Sequence, residues 1–305
     1  MRNKSIYFDT NAILDMSQLD NPLRKRRVGV THERVRQLKR LVAQGKLTVL
    51  VSVCQVQELA EGLLSRNPSV SLETVRKDMR FFRGIVCRDG LIEENSSDIV
   101  RTDMQRCLAG QEAASHLISA EEVLGLLDTA LEVRTLSDLL SWLDAFGQAH
   151  ANTVRYKKHF DGCRDDFRQE RAQLAATSPE ESNPSEKEAW DRVWDVVTAS
   201  TVRCLAAKLG VAEQLDDLQV CRLLKVKSVR LVAGYRASYL YELWFPEKGS
   251  HRRRSQGDYG DQMHAIFAST ADVFVAGDIR FVELLNRIPN RGVRVLSLPD
   301  FLSHL

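Results

Sequence analysis

The sequence predicts an α/β protein: a parallel sheet flanked by helices, with a large all-helical insertion or subdomain. Three observations predict it. Strand and helix patterns alternate over residues 1–66, and they alternate again over residues 250–305. Between them, residues 67–249 carry apolar side chains at helical rather than strand spacing. Strand-helix-strand order at both ends predicts parallel pairing, because parallel neighbours need a helical crossover. If the two ends share one sheet, residues 1–66 and 250–305 form the α/β domain and residues 67–249 are a predominantly helical insertion.

Lys4 to Phe8, with Ile6, Tyr7 and Phe8 in succession, reads as a short buried strand. Asp9-Thr10-Asn11 ends it and begins a helix to Met16, since all three residue types cap helices. The loop "DNPLRKRRVG" follows. A helix from about Thr31 to Ala43 has the apolar stripe Val35, Leu38, Leu41 and Val42, and Gly45 ends it. "LTVLVSV" (47–53) is a second buried strand, and the amphipathic "QVQELAEGLL" a helix. Helical spacing then dominates from Ser97 to Leu174 and from Ser185 to Leu243, with "ATSPEESNPSEKE" (176–188) as a loop between. After a basic loop, "DYGDQMHAIFAST" is a helix, "ADVFVAG" a strand, "DIRFVELLNRI" a helix and "RVLSL" a last strand. "PDFLSHL" is a short terminal helix with Pro299 in its first turn.

The chain has 305 residues, a formal net charge of +2 and 44% hydrophobic residues, enough for a sizeable core and without the charge excess of a disordered chain. No apolar run reaches the roughly 20 residues of a membrane-spanning helix. With no secretory signal expected ahead of the first strand, no membrane is expected and the cytoplasm is the expected compartment. The six cysteines are scattered without C-x-x-C spacing, which points to neither disulfides nor a zinc site.

Ligands of a parallel α/β sheet bind beyond the carboxyl ends of its strands. The acids at those positions are Asp9, directly after the first strand, and Asp278, closely after "ADVFVA". Glu58, with Glu61 one turn on as the other choice, follows the second strand. Asp261 precedes the third strand on its helix, and Asp258 shares a face with it. Together they would form an acidic pocket whose members repel one another and raise one another's pKa. A hard divalent cation with oxygen ligands relieves that, and Mg²⁺ or Mn²⁺ fits best because no His or Cys pair favours zinc. Carboxylates holding such a cation beside Arg- and Lys-rich loops suit phosphodiester hydrolysis.

These elements resemble the PIN-domain nucleases. The resemblance rests on "YFDTNAILD", "VSVCQVQELAEGL" and "DQMHAIFASTADVFVAGDIRF", with "RVLS" as closing strand, over about residues 1–66 and 250–305. It implies an acidic quartet of Asp9, Glu58, Asp261 and Asp278 that binds one or two Mg²⁺ or Mn²⁺ ions and cleaves single-stranded RNA, or sometimes DNA. It also implies that Thr10 and Asn11 orient the first carboxylate; Asp258 has no obligatory family counterpart, but one turn from Asp261 it reads as an outer acid. The strand end "AGD" carries no hydroxyl where the commoner family form has Thr-x-Asp, and the helical block far exceeds that of compact members. The expected activity is therefore a metal-dependent endoribonuclease. The alternatives are a flap or single-strand DNA nuclease and a catalytically idle PIN-like scaffold that binds RNA or protein. The expected partner is nucleic acid, RNA over DNA, and a regulatory protein or a second copy is compatible with the sequence.

Other groups have bland readings beside functional ones. Arg24, Lys25, Arg26 and Arg27, and Arg252, Arg253 and Arg254, are either solvated loops or phosphate contacts. His264, one turn after Asp261, reads as a packing or surface histidine rather than a ligand. Trp190 and Trp194 read as packing rather than a base-stacking platform.

Overall fold

A computed structural model describes residues 4–21, 28–61, 71–86, 91–92, 96–118, 121–135, 137–138, 141, 185–244 and 258–305. The N-terminal elements are β1 (Lys4–Phe8), α1 (Thr10–Ser17), α2 (His32–Ala43), β2 (Leu47–Ser52), α3 (Val53–Glu61) and α4 (Leu72–Arg83). Next come β3 (Leu91–Ile92), α5 (Ser96–Leu108), β4 (Leu117–Ile118), α6 (Glu121–Glu132), α7 (Glu186–Lys208), α8 (Asp217–Leu223) and α9 (Lys227–Trp244). The chain closes with α10 (Asp258–Ala268), β5 (Val273–Ala276), α11 (Ile279–Asn286), β6 (Arg294–Ser297) and α12 (Leu298–Ser303). Both basic clusters, Arg24–Arg27 and Arg252–Arg254, lie outside the described residues, as do most of the 176–188 loop and the side chains of Asp258 and Glu61.

The two ends of the chain do build one sheet. Strand β1 lies between β2 and β5, parallel to both, with Tyr7 opposite Leu50 on one side and Phe274 on the other. Strand β6 continues the parallel run beyond β5. The strand order is β4-β3-β2-β1-β5-β6, where two-residue β3 is parallel to β2 and β4 antiparallel to β3. Those two short strands lie inside the segment that reads as helical. Two residues show no periodicity, so pattern alone does not find them.

Alternation along the strands sends side chains to two cores. On one face Ile6, Phe8, Val49, Val51, Val273 and Val275 pack against α1 to α4 and α12. On the other, Tyr7, Leu50 and Phe274 pack against Met104 of α5, Val202 of α7, Val232 and Tyr235 of α9, and Phe267 of α10. The mid-chain helices therefore share a core with the sheet. A smaller cluster between α7 and α9 holds Val193, Ala237 and Tyr241 with Trp190 and Trp194 against it, so the tryptophan pair is packing. Among the described residues no helix is long and apolar enough to cross a membrane.

Helix ends follow local chemistry. At the end of α2, Gly45 has φ of +67°, its N–H reaches the Val42 carbonyl and the Lys46 N–H reaches that of Leu41. This paired arrangement closes a helix through a left-handed glycine. Ser297 caps α12, with Pro299 in its first turn as the sequence predicts.

Candidate functional site

Strands β1, β2 and β3 step one way across the sheet, whereas β5 and β6 lie on the other side of β1. The direction reverses between β1 and β5, and the crevice beyond the carboxyl ends at such a reversal is where parallel sheets bind ligands. Asp9 and Asp278 stand at that point. Asp9 caps α1 by accepting from the Ala12 N–H (2.6 Å). The same Oδ1 accepts from the Gly277 N–H of the neighbouring strand end (2.8 Å). Asp278, the next residue, caps α11 by accepting from the Arg280 N–H. The capping reading of both acids is thus real, and it leaves Asp9 Oδ2 buried with no hydrogen-bond partner.

Gly277, the middle residue of "AGD", must be a glycine for packing reasons, whereas the missing hydroxyl is at Ala276 before it. A Cβ there would lie 2.7 Å from backbone atoms of Asn11 and Ala12. Only a glycine lets β5 approach α1 closely enough for its N–H to reach Asp9.

Glu58 reaches the crevice from α3. That helix starts directly at the end of β2, where the Ser52 N–H donates to Gln55 Oε1 and the Gln55 amide donates to the Phe8 carbonyl. Buried Gln55 thereby ties the β2–α3 junction to β1. Cys54 and Glu58, four residues apart, share the face that meets α10. There His264 Nε2 lies 2.8 Å from Glu58 Oε2 and 3.4 Å from Thr10 Oγ1, and the Cys54 thiol lies 3.8 Å from Glu58 Oε1. His264 Nδ1 meets the Tyr7 hydroxyl at 2.9 Å, which in turn meets Ser52 Oγ at 2.8 Å. Gly260 on α10 makes room for the glutamate: a Cβ there would fall 2.2 Å from Glu58 Oε1.

Electrostatics follow from this arrangement. Burial pushes the Asp9 carboxyl from 3.8 up to about 6, against the opposing pull of the His264 charge and the two backbone N–H groups. Burial alone would lower His264, but the adjacent Glu58 carboxylate outweighs it and the imidazole is raised. Burial would likewise raise Glu58, and the charge and hydrogen bond of His264 reverse that, leaving it lowered. Burial raises the Tyr7 phenol well above its ordinary value, helped by nearby Cys54, Glu58 and Asp9, so it stays neutral.

The structure thus brings Asp9, Thr10 and Glu58 into one charged cluster, with Asp278 beside it along the backbone. Asp261 lies on α10, one turn before His264, half-buried. Asn11 is the second residue of α1 and is exposed, with its backbone packed against Gly277. Among the described residues the group of three His, Cys, Asp or Glu whose ligand atoms all lie within 4.8 Å of one another is Cys54, Glu58 and His264. No three of Asp9, Glu58, Asp261 and Asp278 form such a group. The sequence shows no paired His or Cys to favour zinc; the fold places Cys54 and His264 both against Glu58. No motif spacing could show this, because 206 residues separate Glu58 from His264. The nearest signal was His264 itself, on the same helix as Asp261.

No family model, curated protein or solved structure matches the chain.

Proposed function

We propose that the chain is a divalent-metal-dependent endonuclease of the PIN-like type that cleaves single-stranded RNA. The observation that carries the proposal is Asp9: a buried carboxylate at the switch point of a parallel sheet, with one oxygen held by two backbone N–H groups and the other unpartnered. A group left this way costs stability unless something cationic meets it. The donor set suits Mg²⁺ or Mn²⁺, because Asp9, Asp261 and Asp278 offer carboxylate oxygens alone.

In this reading Asp9, Asp261 and Asp278 hold the cation, and Glu58 joins them or orients water. When bound, the cation acidifies water and neutralises charge on the phosphate. Within the chain, the Ala12 and Gly277 N–H groups fix the Asp9 carboxylate through Oδ1, and Oδ2 would be the oxygen available to the cation. His264, anchored by Tyr7, fixes Glu58 and keeps it ionised. Preference for RNA rests on the resemblance in the sequence alone.

Purified protein with Mn²⁺ is expected to cut single-stranded RNA, with single-stranded and flapped DNA run beside it. Asp9→Asn and Asp278→Asn are each expected to abolish cleavage. Robust cleavage by both variants would sink the assignment. A second reading, an idle PIN-like scaffold, draws support from the failure of the four acids to gather in one group of three. Calorimetry separates the two: tight RNA binding without Mn²⁺ binding favours the scaffold.

A further inference from the structure

We propose that Cys54, Glu58 and His264 form a binding site for a thiophilic divalent cation of the zinc class, which shares only Glu58 with the residues proposed for Mg²⁺ or Mn²⁺. The three donors are a sulfur, a carboxylate oxygen and an imidazole nitrogen, and their ligand atoms lie within 4.8 Å of one another. With zinc bonds of about 2.0–2.3 Å, tetrahedral donors sit about 3.3–3.7 Å apart, so small side-chain adjustments complete the triad. Hard oxygen-seeking cations gain nothing from a thiolate, which sets this site apart from the carboxylates of Asp9, Asp261 and Asp278.

Three features show a site built to hold its ligands. Cys54 and Glu58 stand at i and i+4 on α3, so one helix face presents both. His264 has its other nitrogen on the Tyr7 hydroxyl, itself held by Ser52, and an anchored second nitrogen is how metal-bound histidines are usually oriented. Gly260 leaves the space in which Glu58 Oε1 lies. The side chain of Glu58 is 27% exposed while Cys54 and His264 are buried, so the cation enters past the glutamate and retains an open position there. On binding, the thiol proton of Cys54 and the proton between His264 Nε2 and Glu58 Oε2 leave to solvent, and the metal takes the place of the latter.

Co²⁺ reports on such a site directly, because a thiolate ligand gives it a sulfur-to-metal charge-transfer absorption. Titration of the full chain is expected to show one Co²⁺ per chain with that absorption, displaced by stoichiometric Zn²⁺ and unaffected by excess Mg²⁺. Cys54→Ser is expected to lose the absorption, whereas Cys221→Ser, which alters an exposed thiol, keeps it. Tyr7→Phe removes the hydroxyl that anchors the imidazole, together with its contact to Ser52, and is expected to weaken Co²⁺ binding about tenfold. Far-ultraviolet circular dichroism of each variant checks that it folds, and Glu58→Gln serves where Cys54→Ser does not. Absence of the absorption in the wild type, its survival in Cys54→Ser or Glu58→Gln, or its displacement by Mg²⁺ overturns the proposal. None of these readouts depends on nuclease activity.

Discussion

Asp9 shows how one side chain serves two purposes at a cost. Its Oδ1 closes a helix cap and joins two strand ends, and its buried, unpartnered Oδ2 raises the carboxyl from 3.8 to about 6. A carboxyl whose folded value exceeds its unfolded value holds its proton more tightly in the native state. Stability therefore falls as pH rises through that interval and stays lower above it, by about 3 kcal/mol. His264 adds a second stage. Its raised value gives stability that is fully present below its unfolded value of 6.5 and is lost as pH rises through the folded one. Glu58, lowered, contributes above 4.5 and loses that contribution as pH falls through its folded value. Asp9→Asn keeps a carbonyl for the Ala12 and Gly277 N–H groups and removes the charge. Without added metal it is expected to be more stable than the wild type above about pH 7, by about 2–3 kcal/mol, and equal to it near pH 4. Urea denaturation across that range is the measurement, and a wild type as stable as the variant above pH 7 would refute the account. A single substitution that abolishes cleavage while stabilising the fold is the mark of a strained functional group.

At the scale of elements, the position of Asp278 depends on how α11 is held. Glu242, near the end of α9, is buried and pairs with Arg280 at 2.8 Å and Arg287 at 2.7 Å, both on the α11 side. The two arginines are seven residues apart, so one carboxylate grips a full two turns of α11. Glu242→Ala would remove this shared carboxylate from both guanidinium groups. They are 24% and 32% exposed, so water compensates in part, and the loss is expected to be about 2–3 kcal/mol rather than the full cost of an unpaired buried charge. Because α11 begins directly after Asp278, cleavage should fall as well, although Glu242 is no candidate ligand. Chemical denaturation and a cleavage assay on Glu242→Ala and Glu242→Gln test this, with the glutamine variant the milder of the two. An alanine variant of wild-type stability would show that solvent replaces the pair. This staple is not legible in the sequence, where Glu242 is one acid among many. Strand ends are legible, because Asp9 and Asp278 each follow an apolar run closely. The partners of Glu58 are not, since only the folded sheet brings α3 against α10.

At the scale of the molecule, the question is whether residues 67–249 are a separable insertion. Composition suggests it, because helical spacing runs almost unbroken between two strand-rich ends. Packing argues otherwise. Tyr7, Leu50 and Phe274 of three adjacent strands are buried against residues of α5, α7 and α9, and β3 and β4 extend the sheet itself. Asp103 of α5, buried, accepts from Ser228 of α9 at 2.5 Å and meets His116 at 2.9 Å, locking two of these helices together beneath the sheet. Removing the block would strip α5, α7 and α9 from this face of β1, β2 and β5 and leave it to α10 and α11, so that Tyr7, Leu50 and Phe274 each lose up to about 1.5–3 kcal/mol of burial. Over Tyr7, Leu50 and Phe274 that is up to about 5–9 kcal/mol, comparable with the whole stability of an ordinary domain. A chain joining residues 1–66 to 250–305 through a short linker is therefore expected to lack a cooperative thermal transition and to bind a hydrophobic dye. The full chain should show its sheet and mid-chain helices unfolding together, in one transition seen alike by far- and near-ultraviolet circular dichroism. A cooperative transition in the shortened chain would show instead that α10 and α11 alone cover that face, and that the helical block is an accessory.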